Sequence, residues 1–441
     1  MDSNKKFYQR PIFWIIFFFV YAIIASRYVK IDIHDPGFGR SWYFGDSSSE
    51  GNVESAAKFY MEKGFRPNAG LPTYNHLDTI PDNDYVYTHY PPMAEWIAGV
   101  TAQITHNYKD HCTSVLPLLL SVVLFFMIFY ILARWLNNDI AAFIGASVLV
   151  LSNYFISWAD DTHQHLYIEF FRWSFVYLWW WYLTIHNKKY IIPILAICSA
   201  MMCLLSFEPY IYILIIIIGF PLALRQKILR WEVIVLLLVP AFSFSLRLYL
   251  NAEYFGGFTA MLHDMKGAFL NRTGASADVS ELQRTMHFSD YVYLLPKTRL
   301  HRLGHFYIFP SLVIILFGIL GLIQLKKHFP SFYRIAVVIY IASVSWAFVM
   351  PQHALIHIFT LRHIGIFIGI VIGFGLIKYK EILVLHWKSK NYLLLSGHVI
   401  ILGYSVFYIA INTVYFVYLK YGLLYPHLGT DNFELFDYFL M

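Results

Sequence analysis

Apolar runs of near-bilayer length follow one another along most of this chain, and almost all of its charges lie between them. A span needs about 20 consecutive apolar residues. Candidate spans fall at 11–28, 114–135, 139–158, 167–185, 190–206, 209–224, 232–250, 306–325, 335–350, 363–379 and 392–418. Only 14% of the residues are charged, against 58% hydrophobic, whereas a soluble domain carries about a quarter charged residues. The expectation is an all-α polytopic membrane protein with about 11 transmembrane helices.

The charges orient the spans. Lys5, Lys6 and Arg10 precede the first, which reads as a retained span because a signal-peptide cleavage pattern is poor. Arg134, Lys188, Lys189, Arg225, Lys227, Arg230, Lys326, Lys327, Arg334, Lys378, Lys380, Lys388 and Lys390 follow alternate spans. All fall on one side if the N-terminus is cytoplasmic. The other side then holds two long segments, 29–113 and 251–305, and most of the histidines. Residues 1–250 form one membrane module with the first outer loop. Residues 251–441 add the second outer segment and the last spans. No repeat and no second soluble domain is visible. Cys112, Cys198 and Cys203 have no metal or disulfide pattern, and nothing points to nucleic acid.

In the first outer loop, SEGNVESAAKFYMEKGF has helical spacing: Val53, Ala56, Ala57, Tyr60 and Met61 form an apolar stripe. Ser49 suits an N-cap, Gly64 a stop, and Glu50 the first turn, near the positive end of the helix dipole. Such a helix would lie flat on the bilayer. Further on, THYPPMAEW sets Pro91 and Pro92 before a run at 93–106 that is too short to span. Pro92 suits a helix's first position, giving a second interfacial helix. His89 and Tyr90 stand at its approach as candidate substrate contacts.

Glu50, Ala57, Lys58, Gly64, Pro91 and Pro92, in this order and spacing, resemble the first outer loop of the GT-C glycosyltransferases. The branch they resemble is that of protein O-mannosyltransferases and aminoarabinose transferases of lipid A. The resemblance covers residues 1–185, and the remainder matches in hydropathy alone. It implies a GT-C-like fold and transfer of a sugar from a polyprenyl-phosphate donor to a glycan, lipid or protein acceptor, with inversion. The reaction would face the periplasm or exterior of a bacterial inner membrane, among membrane lipids. Where the family has Asp-Glu, this chain has Ser49-Glu50, so the base could be Glu50, Asp46 or Glu54. A divalent cation is possible in such enzymes, and the sequence leaves it open.

Other candidates lie at the outer ends of the spans. Asp160 and Asp161 stand together beside an apolar slab, which is costly unless they are paired or metal-bound. The resemblance places an acidic residue there. Glu169 and Arg172 are spaced to pair with each other. In MPQHALIHIFTLRH, His353, His357, Thr360, Arg362 and His363 crowd a short connection. His353 and His357 lack a third metal ligand, so Arg362, with His357 and His363, reads better as a phosphate site. Glu208 reads as a lone loop residue. Arg247, Lys266, Arg272, Lys297 and Arg299 read as outer or nearly outer cations for lipid headgroups or donor phosphate.

The rival readings are a transporter or flippase of lipid-linked saccharides, and a non-catalytic subunit of an assembly complex. A transporter would put charges at mid-membrane on broken helices; here the polar residues gather at one rim.

Overall fold

The computed structural model describes residues 47–76, 84–152, 155, 162–184, 189–227, 230–273, 296–297, 300, 303, 307, 310–351, 354 and 358–420. The first expected span lies outside them. The other ten each coincide with a helix or its start, because each apolar run is bounded by polar or proline residues that end it.

The first loop forms its own small layer. α1 (Ser47–Lys63) and α2 (Met93–Thr105) form a hairpin, joined through a two-stranded antiparallel ribbon, β1 (Thr73–Tyr74) and β2 (Tyr85–Val86). Thr73 pairs with Val86 and Tyr74 with Tyr85. Ser49 is a helical residue of α1 rather than its cap, and the residues before Ser47 lie outside the described set. Gly64 ends the helix as expected, at φ +79, its N–H donating to the Tyr60 carbonyl over 3.0 Å. Pro92 sits one residue ahead of α2.

The α1 stripe does not face lipid. Val53 and Ala57 pack on Ala98 and Ala102 of α2, while Ala56, Phe59 and Tyr60 pack on Tyr74 of β1. Small residues permit this approach: a Cβ on Gly99 would lie 2.9 Å from the Cβ of Tyr60.

A short α3 (Asp110–Thr113) leads into the bundle. Its helices are α4 (Val115–Leu136), α5 (Asp139–Val150), α6 (Gln164–Thr184), α7 (Ile191–Leu205), α8 (Glu208–Ala223) and α9 (Trp231–Tyr254). α10 (Phe258–Thr273) follows α9, then α11 (Ser311–His328), α12 (Pro330–Val349), a 3-10 turn (Ile358–Ile364), α13 (Gly365–Lys388) and α14 (Tyr392–Lys420). Among the described residues, six helices are long and apolar enough to cross a membrane, and α5, α7 and α8 are shorter apolar helices. The chain is an all-α polytopic integral membrane protein.

α13 is the central post. In its apolar span 78% of residues are buried, against 11% in α14, which therefore lies at the edge of the bundle. Glycines set this arrangement. A Cβ on Gly375 would strike the carbonyl of Phe317 in α11, and one on Gly321 would strike the carbonyl of Val371. On the other flank Gly369 and Gly373 seat Leu132, Leu149 and Leu136 of α4 and α5. The module formed by α1, α2 and the ribbon rests on one end of the bundle, where Ala94 packs with Tyr167, Ile168 and Leu205.

Candidate functional site

Beneath that module, three segments meet through charge. α6 brings His165, Glu169 and Arg172, the start of α8 brings Glu208, and the 3-10 turn brings Arg362 and His363. Arg172 is 1% exposed, Arg362 2%, and Glu208 4%. Charges so deeply buried persist only when paired, and these are. The Glu208 Oε1 accepts from Arg362 Nη2 at 2.5 Å and from Arg172 Nη2 at 3.0 Å. Its Oε2 lies 2.6 Å from His363 Nε2. Arg172 also donates to Glu169, as the three-residue spacing anticipates, and Arg362 pairs with His165 Nδ1. Arg362 Nε lies 3.9 Å from Glu169 Oε1. The Arg172 guanidinium stands 5.2 Å over the ring of Tyr212.

Glu208 is therefore no lone loop residue. It is the hub of the cluster, and the signal was in SFEPY: a carboxylate at the start of an apolar helix, with proline next to it in the first turn and no solvated neighbour. Arg362, expected as a cation for phosphate, already stands between two carboxylates.

A cavity of about 30 Å³ adjoins the cluster. Glu169, Arg362, Ser152 and Tyr307 give it polar edges, and Leu124, Ile128, Leu149, Phe155 and Trp173 give it apolar walls. Tyr307 donates to the Leu361 carbonyl at 2.7 Å, which fixes the residue before Arg362. The volume is enough for one or two waters.

A second polar node ties the module to α9 and α10. The Thr88 carbonyl accepts from Arg247 Nη2 and Asn251 Nδ2, each at 3.0 Å. The Thr88 hydroxyl donates to Asp264 at 2.8 Å, and His89 Nε2 lies 3.1 Å from the same carboxylate. Tyr90 meets the edge of Phe207 with ring centroids 5.7 Å apart. Arg247, expected outside or nearly so as a lipid or phosphate contact, is instead 3% exposed, with its guanidinium 4.2 Å over Phe207.

Within the module, Glu95 is 2% exposed and accepts from the Tyr74 hydroxyl at 2.8 Å. Burial pushes its carboxyl up to about 7, against which the Tyr74 hydrogen bond works only partly. The Tyr74 and Tyr60 hydroxyls are themselves pushed well above the ordinary range, chiefly by burial.

Of the residues singled out from the sequence, the structure gathers Arg362 and His363 at the buried cluster, and His89 and Tyr90 at the α9–α10 node. Glu50 is on α1 and Arg272 on α10, with side chains outside the described set. Asp46, Asp160, Asp161 and His357 lie outside the described residues. Among the described residues, no group of three or more His, Cys, Asp or Glu is placed to hold a metal ion.

No protein-family model matches the sequence, and no curated protein matches it. Solved structures do resemble the fold. The archaeal oligosaccharyltransferase AglB from Archaeoglobus fulgidus, in complex with an inhibitory peptide and a dolichol-phosphate, superposes with a TM-score of 0.51 at 13% identity. The match covers 92% of this chain and 56% of that one, so the chain spans little more than half the length of this neighbour. The apo form of the Archaeoglobus fulgidus oligosaccharyltransferase matches with a TM-score of 0.48 at 13% identity, over 95% of this chain and 55% of that one. Over 92% of its own length this chain thus shares a fold with AglB, in keeping with the all-α, GT-C-like bundle expected from the sequence.

Proposed function

We propose that this protein is a membrane glycosyltransferase that moves a sugar from a polyprenyl-phosphate donor to a glycan, lipid or protein acceptor, with inversion. The observation that carries the reading is the placement of the loop module, on the same end of a GT-C bundle as the buried cluster and its cavity. A donor of this class has an apolar tail, a phosphate and a sugar in series; the cavity beside Arg362 is a water-sized pocket where polar edges meet apolar walls, not a site for the whole donor.

In this reading the reaction lies on the periplasmic or exterior face of a bacterial inner membrane. Glu50, with Asp46 or Glu54 as alternatives, removes the acceptor proton, and the oxygen attacks the anomeric carbon opposite the lipid phosphate. Asp160 and Asp161 share the acidic side of the site. Arg362, with His363 and His357, faces the leaving phosphate, where a fixed cation lowers the barrier. Glu208 and Glu169 hold that guanidinium in place. His89, Tyr90 and Arg272 contact substrate at the rim. The branch of protein O-mannosyltransferases and aminoarabinose transferases rests on the ordered motif from Glu50 to Pro92, and transfer of a single hexose or pentose rests on that branch.

The test is incubation of the purified protein with a panel of radiolabelled polyprenyl-phosphate sugars and membrane acceptors. Label moving to a glycan, lipid or protein supports the reading. Transbilayer movement of intact donor in vesicles, with no transfer to any acceptor, would replace it with a flippase.

A further inference from the structure

α10 begins only four residues after the end of α9, a helix long and apolar enough to span the membrane. Gly256, at φ +68, makes the turn between them. A side chain there would be strained. α10 thus starts where a span leaves the bilayer.

The helix has three faces. One is turned to the protein: Met261 is fully buried, and three residues on, Asp264 holds Thr88 and His89. A second carries Phe258, 57% exposed, and Leu262, 48% exposed, one helical turn apart. The third is polar and exposed, with Thr259, His263, Lys266 and Gly267. Large apolar side chains left in water forgo the stabilisation that burial gives them. Their natural cover is the lipid that already surrounds α9. Only 22% of that helix's apolar span is buried, and its rings Tyr249 and Tyr254, in its last two turns before α10, are exposed. A narrow apolar stripe beside a polar face is the pattern of a helix in the interfacial plane, and Lys266 can reach headgroup phosphates from there.

We propose that α10 lies flat on the bilayer, with Phe258 and Leu262 in the acyl–headgroup boundary. From its protein-facing flank, Asp264 straps residues 88–89 of the first loop to that surface. The helix would then fix the height of the loop module above the membrane.

The test uses the full chain in phosphatidylcholine nanodiscs. Nitroxide labels are placed singly at Leu262→Cys and His263→Cys, with Cys112, Cys198 and Cys203 replaced by alanine. The expected result is oxygen-dominated relaxation at 262 and nickel-chelate-dominated relaxation at 263. Equal access of the nickel chelate to both positions would overturn the lipid contact. On the otherwise native chain, Asp264→Asn should speed amide exchange across residues 84–92 about ten-fold, since a hydrogen bond to a charged group is lost. Unchanged exchange there would overturn the strap.

Discussion

Arg362 and Glu208 are 154 residues apart in sequence, yet Nη2 of one stands 2.5 Å from Oε1 of the other, with both side chains almost fully buried. The pair joins the 3-10 turn to the start of α8, and through Arg172 to α6. Removing one member leaves a buried charge without its partner, which costs about 3–5 kcal/mol. Glu208→Gln and Arg362→Gln should each lower the melting temperature of the detergent-solubilised protein. The double variant should recover much of the loss. Donor titrations then separate structure from chemistry: if Arg362 faces the lipid phosphate, the double variant stays about ten- to a hundred-fold weaker in donor use. Restored donor use would confine Arg362 to a structural role.

Glu50→Gln should abolish transfer while leaving expression and melting temperature unchanged, with a loss of about 10²–10⁴-fold for a missing catalytic base. Single-turnover rates measure this directly. Loss confined to Asp46→Asn or Glu54→Gln would move the role to that residue. Full activity in all three would remove the first loop from proton transfer.

Glu95 makes the loop module sensitive to pH. Its carboxyl titrates near 7 in the folded chain, against 4.5 ordinarily. A raised value means that the folded state holds the proton more tightly than the unfolded state. That advantage is complete below pH 4.5 and is lost as pH rises through 7. At 1.36 kcal/mol per unit, the full change amounts to about 3–4 kcal/mol. Proteolysis within residues 47–105 should therefore accelerate between pH 5 and pH 8. Glu95→Gln, which keeps an acceptor for Tyr74 without the charge, should flatten the profile and protect the module at pH 8. An unchanged profile would reject Glu95 as the titrating group.

Gly375→Ala should be more damaging than its size suggests. The added carbon meets the backbone carbonyl of Phe317, which cannot turn aside as a side chain can. Overpacking of this kind costs about 1–3 kcal/mol, occasionally more. The monomer yield and melting temperature should both fall. Gly397→Ala, with open space around it, is the control and should change neither.

The bundle was legible because each apolar run reports itself locally: length, charge boundaries and proline positions mark α4 to α9 and α11 to α14 without reference to partners. The two helices of the loop were legible for the same reason, including the stop at Gly64, but their pairing was not. The destination of the α1 stripe was not. A stripe of Val53, Ala57 and Tyr60 suits lipid or protein equally, and only the small side chains Ala98, Gly99 and Ala102 on α2 decide between them. The ribbon of Tyr74 and Tyr85 is two residues per strand, too short for any periodicity. The buried cluster was half visible. Glu169 and Arg172 announce themselves by spacing, whereas Glu208 and Arg362 meet only through the packing of α8 against α12 and the turn before α13.

The two guanidiniums and two carboxylates buried beneath the loop module form a set of opposite and equal formal charge. A single uncompensated charge carried across an energised membrane exchanges about 2.3 kcal/mol with every 100 mV of transmembrane voltage. A set that sums to zero exchanges almost nothing when it moves as a unit. A transmembrane voltage would therefore put little net force on these side chains as a set, and Arg362 is held by its carboxylate partners.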